Sequence, residues 1–415
     1  MRALLDRTFR EAGGRVIAAL AASFRDLDLA EEAFAEACAR AIERWGSAPP
    51  VDPAAWLYAV GRRWALDRLR RRITAAGYRP DVPAPPPTPE DQAMALDDPI
   101  PDERLRLIFV CCHPAMNAEA RVALTLRTVC GLTTPQIAAA FLTPEPTLAQ
   151  RLVRAKRKIA EAGVPFEVPG PDHWPERMDA VLSTLEIAYA QAHADAAGLG
   201  PNADLAVEVL GLTALLARLV SEDAEVQALA ATVRFTEARR PARLAVDGTM
   251  IPLTLQDTTL WDTGLIAEAD LYLARSAALS QASRTRPGPR ALQAAIHGAH
   301  AGRRKTGVTP WAAILGIYNA LLGLRDDPVI RTNRAVALAE VEGPESGLAA
   351  LDLTPIPGWL PWHAARGDML VRIGHDAEAL HEFEAALALG PSAAEQRYLA
   401  ACRDTSRSRL SPFSA

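Results

Sequence analysis

Apolar residues recur at spacings of three and four along most of the chain, and this pattern predicts an all-α protein. Leu148, Leu152, Ala155 and Ile159 mark the inward stripe of one helix. A shorter segment before it has Ile137, Ala138 and Phe141 as its buried side. Thr134 is expected to cap that first helix, with Pro135 at its opening position. Thr143 is expected to cap the second, with Pro144 and Pro146 in its first turn, where proline is tolerated. Two short helices in this order predict a helix-turn-helix. The second helix keeps Gln150, Arg151, Arg154, Lys156, Arg157 and Lys158 mostly outward, and Thr147 stands at its start. A helix entering a major groove needs such a face, with amide and guanidinium groups for base edges and cations for phosphates. An ordinary amphipathic helix with a solvated basic face would give the same pattern.

A second basic helix is expected over 56–72. Leu57, Val60, Ala65 and Leu69 supply much of its core contact, and Arg62, Arg63, Arg68, Arg70, Arg71 and Arg72 form a cationic ridge. Trp56, Tyr58 and Trp64 are interleaved with them. Single-stranded DNA is gripped by this combination, cations along the backbone and rings or guanidinium planes against unstacked bases. For Trp56 and Tyr58, burial as packing residues is the competing reading. Upstream, the segment 28–42 sets Asp28, Glu31, Glu32 and Glu36 beside Leu29 and Phe34. It reads as a partner-docking helix or as an acidic solvated face.

The helices fall into blocks. Residues 1–72 form one helical domain, broken once at 46–53. Residues 73–100 carry Pro80, Pro83, Pro85, Pro86, Pro87 and Pro89 with Asp97 and Asp98, and read as an extended linker. Residues 101–163 form the domain that ends in the helix-turn-helix. A short connector at 164–171 leads to a helical region over 171–415, with a loop or small hairpin between Leu244 and Thr259. In that last region Gly367, Leu370, Gly374, Ala379, Phe383, Ala386 and Pro391 keep the spacing of a tetratricopeptide repeat, and Asn333 to Leu351 resembles another.

Charge sharpens this division. The 415 residues carry a net charge of -5, which argues against a globally basic nucleic-acid coat. Residues 1–170 hold 23 Lys+Arg and 21 Asp+Glu, a net of +2, while the remainder holds 22 and 29, a net of -7. A DNA-binding role therefore belongs to the first part, with an acidic module behind it. Five cysteines in irregular positions suggest reduced thiols. No apolar run approaches membrane-spanning length and the N-terminus lacks a signal peptide's apolar core, so a cytoplasmic protein without membrane attachment is expected.

Asp28-Leu-Ala-Glu-Glu-Ala, Ala55-Trp-Leu-Tyr, Arg62-Arg-Trp-Ala-Leu-Asp-Arg-Leu-Arg70, the linker and the terminal helix-turn-helix together resemble an extracytoplasmic-function (ECF) RNA polymerase sigma factor. The resemblance covers about residues 1–163. The segments 102–114 and 144–158, with Arg240-Pro-Ala-Arg243 and Trp261 to Glu268, are similar to the ECF subgroup bearing a C-terminal helical-repeat extension. The stretch Thr184 to His193 lacks that subgroup's aromatic–Asn–Glu–Gly–Tyr motif. The resemblance implies that Asp28, Glu31, Glu32, Phe34 and Glu36 dock on the polymerase, the β′ coiled coil in particular. It implies that the 46–53 loop holds a flipped base while Trp56, Tyr58, Arg62, Arg63, Trp64 and Arg68 grip the melted promoter element. Position 63 is Arg where many members have Asn. Thr147, Gln150, Arg151, Arg154, Lys156 and Lys158 would read the upstream element as duplex. The expected partners are core RNA polymerase (β′ and β), promoter DNA, and a protein or peptide bound by the C-terminal repeats.

No enzyme site is expected. Cys111-Cys112-His113 offers soft ligands, but neighbouring residues splay apart and no fourth ligand has regular spacing. His297 and His300 lack a carboxylate motif nearby. Asp257, Asp262 and Glu268 read as caps and solvated faces. Neither a cofactor nor a metal is implied. Two other function classes fit parts of the pattern. A stand-alone helix-turn-helix regulator would bind duplex DNA by itself, usually as a dimer, but has no need of the arginine–aromatic helix. A repeat-based scaffold would have no need of the basic face at 150–158.

Overall fold

A computed structural model describes residues 2–45, 50–75, 103–141, 143–194 and 201–410. Among the described residues the regular structure is helical throughout, apart from an isolated antiparallel bridge between Leu244 and Met250. That bridge closes the loop expected there, with Gly248 at φ +81° and Asp247 Oδ1 accepting from the Thr249 amide at 2.9 Å. The chain divides into two compact units: Met1–Ala192 with Val207–Leu212, and His193–Ala206 with Thr213–Ala415.

The first unit begins with three helices, α1 (Arg2–Phe24), α2 (Leu27–Arg44) and α3 (Pro53–Ala75). Asp26 caps α2 by accepting from the Leu29 amide at 3.0 Å, and Asp52 does the same for α3 through Ala55 at 2.9 Å. Such caps are each worth about 1 kcal/mol. Ala30, Ala33, Ala37 and Ala41 line the buried side of α2. They let α3 approach closely at Gly61, where a Cβ would lie 3.1 Å from the Ala33 carbonyl oxygen. Leu57 and Ala65 are fully buried as expected, while Val60 and Leu69 are only half-buried.

The rest of this unit holds α4 (Arg104–Cys111), α5 (Ala118–Thr128), α6 (Thr134–Ala140), α7 (Glu145–Glu161) and α8 (Trp174–Ala194). Gly131, at φ +74°, turns the chain from α5 toward α6. The caps differ from the sequence expectation. Thr133, not Thr134, opens α6: its hydroxyl accepts from the Gln136 amide, and Gln136 Oε1 accepts from the Thr133 amide at 2.8 Å. This reciprocal pairing satisfies two otherwise unpaired N–H groups and outcompetes a single cap at Thr134. Nor does Thr143 cap α7; its hydroxyl donates back to the Phe141 carbonyl at 3.1 Å, leaving Pro144 at the cap position without a side-chain bond. Leu148, Leu152, Ala155 and Ile159 are the buried residues of α7, the stripe expected. Helix α8 joins this unit through Trp174, 5.4 Å from the Phe109 ring, and Arg177, which donates to the Phe109 carbonyl at 2.7 Å. Helix α3 continues to Ala75, past the expected start of the linker at residue 73; the rest of the 73–100 linker and residues 46–49 lie outside the described residues.

Helix α9 (Pro201–Leu219) contributes to both units. The second unit continues through α10 (Ala224–Ala238), α11 (Thr263–Ala282), α12 (Pro289–Thr306), α13 (Trp311–Leu324), α14 (Pro328–Glu342), α15 (Pro344–Asp352), α16 (Leu360–Arg372), α17 (Asp376–Ala388) and α18 (Ala393–Leu410). Its interior is a series of small clusters, each drawn from consecutive helices. Phe235, Trp261 and Ile266 anchor the first; Ile296, Ile314 and Leu321 the second. Leu351, Trp362 and Met369 follow, then Leu370, Phe383 and Leu399. Small residues set the close contacts: a Cβ at Gly367 would lie 2.7 Å from the Phe383 ring, and one at Gly347 2.5 Å from the Ala339 Cβ. Contacts between sequence neighbours are the organisation of stacked helical hairpins.

Candidate nucleic-acid interface

Helix α7 presents its polar face unevenly. Thr147, Gln150, Arg154, Arg157 and Lys158 are exposed. Arg151 is half-buried and its Nη2 lies 2.9 Å from Glu119 of α5, an acidic partner that the sequence reading did not single out. Glu119 is 68% exposed, so this pair is a weak, solvent-screened tether. Lys156 departs from the outward face expected of it. Its side chain is 15% exposed, and Nζ donates to Glu31 Oε2 at 2.7 Å and to Asp28 Oδ1 at 2.9 Å, both on α2. Lys156 follows Ala155 on the edge of the buried stripe, so its stem runs along the domain surface rather than into solvent. Burial works against its charge, but Glu31 and Asp28 outweigh that and hold its pKa above the ordinary lysine value.

Helix α3 divides likewise. Arg62, Arg63, Arg70, Arg71 and Arg72 are exposed, giving the cationic ridge its length. Arg68 instead pairs with Glu32 at 3.1 Å and lies 5.2 Å over the Trp64 ring. Trp64, Arg68, Glu32, Ala35 and Glu36 line a groove of about 420 Å³. Trp56 and Tyr58 are half-buried: Trp56 packs edge-on to Trp45 at 5.3 Å, and the Tyr58 hydroxyl is 3.2 Å from Ser23 Oγ. Both therefore hold the three-helix domain together as well as showing a face to solvent.

On α2, Asp28 and Glu32 are exposed while Glu31 is half-buried. Glu36 pairs along its own helix with Arg40 at 2.9 Å. Phe34 turns toward α1, where a Cβ on Gly13 would lie 3.2 Å from its ring. The structure thus brings Asp28 and Glu31 together with Lys156, and Glu32 together with Arg68 and Trp64. A glycine pair inside a helical pattern, Gly13-Gly14, is the sequence signal for the close approach of Phe34 to α1.

The soft-ligand residues sit in the core. Cys111 and Cys112 are fully buried, and desolvation pushes both thiols up; Cys112 Sγ lies 3.3 Å from Thr125 Oγ1. His113 Nδ1 accepts from the Ala115 amide at 3.1 Å, and its pKa is lowered, by burial first. In the second unit, His297 Nδ1 lies 3.2 Å from Arg239 Nη2, and arginine can only donate, so that nitrogen is unprotonated. Asp257 and Asp262 act as caps, accepting from Thr259 and Leu265, and Glu268 pairs with Arg234.

Three family models match the chain: sigma-70 region 2 over residues 8–73, sigma-70 region 4 over 106–159, and a family of unknown function (DUF6596) over 177–277. The first spans α1 to α3 and the second α4 to α7. An uncharacterized protein of Rhizobium meliloti (strain 1021) is 38% identical over 405 residues, covering 95% of this chain and 94% of its own length. No solved structure matches the chain. No helix among the described residues is long and apolar enough to cross a membrane. With a region 2 bundle carrying the arginine ridge and a region 4 helix-turn-helix carrying exposed bases, the chain belongs to the sigma-70 family, whose members are transcription initiation factors that bind core RNA polymerase and promoter DNA.

Proposed function

We propose that this chain is an ECF-type sigma factor whose two basic helices hold different forms of one promoter. Helix α7 reads the upstream element as duplex through Thr147, Gln150, Arg151, Arg154 and Lys158. Helix α3 grips the melted downstream element through Arg62 and Arg63, with Trp64 and Arg68 beside them. Flipping a base from the stack costs a few kcal/mol, which stacking and phosphate contacts offset. Asp28, Glu31 and Glu32 on α2 dock on the β′ subunit, region 4 engages β, and the protein acts in the cytoplasm beside the polymerase. The observation that carries this reading is that Arg62 and Arg63 in region 2 and Arg154 and Lys158 in region 4 are exposed on separate helices. A stand-alone duplex reader has no use for the first pair.

The second unit serves as the control module, a TPR-like stack offering its surface to a protein or peptide. The close helix pairs at Gly347 and Gly367 support the repeat reading. In vitro transcription with purified core polymerase and a genomic promoter library tests the central claim. Runoff products should share one upstream and one downstream element, and products sharing neither refute it. A chain ending after Leu219 should give altered output on the same promoters; unchanged output removes the control role.

A further inference from the structure

Val153 stands apart on the polar face of α7. Among the described residues from 103 to 163 it is the one large apolar side chain left exposed, at 65%. The buried stripe of this helix is Leu148, Leu152, Ala155 and Ile159. At 100° per residue, Val153 lies about 130° around the helix from the middle of that stripe. Gln150 comes three residues before it and Arg157 four after, so the three share one face with Arg154 beside them, and all four are exposed. Neither propensity nor packing accounts for valine here. A β-branched residue is stiff in a helix, and this one gains no burial in return. At the edges of the face, Arg151 and Lys156 are turned to protein carboxylates, Glu119 for the first and Asp28 and Glu31 for the second. What remains toward solvent is a short surface of one amide, one isopropyl group and two guanidinium groups.

We propose that Val153 is a specificity-determining residue, packing on the 5-methyl group of a thymine in the upstream duplex. The inference rests on the reading of α7 as the duplex-reading helix and deepens it by naming one base. An apolar protein surface placed on Val153 would have to desolvate Arg154 and Arg157, whereas DNA meets them with phosphates. In the major groove only thymine offers an apolar group. Cytosine presents an amino donor there and the purines an N7 acceptor, and valine can satisfy neither. A wrong base therefore leaves a polar edge buried and unpaired. Gln150 and Val153 are separated by about 4.5 Å of helical rise. That is little more than the roughly 3.4 Å between adjacent base pairs, so the thymine falls next to the pair that Gln150 meets.

Deoxyuridine differs from thymidine only by this methyl group, so it removes the proposed contact and nothing else. Holoenzyme assembled from the full chain and core polymerase is titrated against promoters in which each thymine of the upstream element is replaced singly by deoxyuridine. One replacement should weaken binding about fourfold, the worth of burying one methyl-sized group. Val153→Ala should bind the thymine promoter more weakly by a similar factor and should no longer distinguish it from the deoxyuridine promoter. Alanine is the best helix former, so this variant keeps α7 intact. Arg154→Ala should retain the deoxyuridine penalty, which separates the methyl contact from its neighbour. The methyl contact is overturned if no single replacement changes affinity, or if Val153→Ala keeps the penalty. Weaker assembly of Val153→Ala with core polymerase in the absence of DNA overturns it as well, by placing the valine at a protein interface. A wild-type holoenzyme with no preference among promoter sequences fails the sigma reading itself, a result distinct from the absence of a methyl effect.

Discussion

Helices α7 and α10 both carry arginine in an alanine- and leucine-rich context, yet they use it in opposite ways. On α7 four residues face inward, and Arg154, Arg157 and Lys158 are left in solvent. On α10 most residues are buried, and Arg234 is only 4% exposed. Its Nε lies 2.9 Å from Glu268, its Nη1 donates to the Ala230 carbonyl at 3.1 Å, and its guanidinium lies 4.6 Å over the Tyr272 ring. The width of the apolar stripe decides the outcome. A narrow stripe leaves cations free for an external anion, whereas an all-round apolar helix forces any cation to find its partners inside the fold.

The largest expected effect tests the buried side of this contrast. Arg234→Ala should destabilise the second unit by about 3 kcal/mol, combining the lost hydrogen bonds with the lost packing on Tyr272. Glu268 is 57% exposed and stays hydrated, which keeps the cost below that of stranding a buried charge. Urea unfolding of the full chain followed by near-UV circular dichroism checks this, and a shift within error of zero breaks the contrast. Arg154→Ala tests the other side. It should leave stability within about 0.5 kcal/mol of wild type, as surface changes do. Duplex promoter binding by the holoenzyme should nevertheless weaken by about 1–3 kcal/mol, the worth of a good base contact. An unaffected promoter profile removes Arg154 from the reading face.

These two arginines also show what the sequence can reveal. The inward stripe of α7 was legible because its period is clean and its neighbours are polar. The helical character of both units was legible for the same reason. Lys156 was not, since it lies one position from the stripe and its partners, Asp28 and Glu31, are more than a hundred residues upstream. Arg68 hides similarly, because its charge partner Glu32 belongs to another helix. Periodicity reports which side of a helix is apolar, but it carries no information about which distant element will lie against the edge of that side. Arg151 and Glu119 make the same point within region 4.

Burial in the second unit has a pH signature on the acid side. His300 lies 5.3 Å from the Trp311 ring, and burial, with Arg239 and Arg303 nearby, lowers its pKa to about 4. His297 is lowered well below its usual value, by burial first and by Arg239 next. In the unfolded chain both titrate near pH 6.5. Between those values the unfolded chain binds more protons than the folded one, so stability rises with pH. The contribution is fully present above about pH 6.5 and is lost as the pH falls toward 4. The second unit's melting temperature should fall over that interval, and His300→Gln should flatten the slope. A slope unchanged by His300→Gln places the pH dependence elsewhere.

The smallest expected effect separates two adjacent threonines, one half-buried and one exposed. The sequence alone favours Thr134 as the cap of α6 because Pro135 follows it. The observed cap is Thr133, whose exchange with Gln136 satisfies two amides where a cap at Thr134 satisfies one. Thr133→Ala should therefore cost region 4 about 1 kcal/mol, and Thr134→Ala much less. The loss is local but bears on α7, since α6 packs against it and sets the angle at which its basic face is offered. Thr133→Ala should thus weaken duplex binding less than Arg154→Ala does while lowering the melting temperature more. The pair of measurements distinguishes a residue that aims the reading helix from one that touches the DNA. If Thr134→Ala proves the costlier of the two, the cap lies where the sequence first suggested.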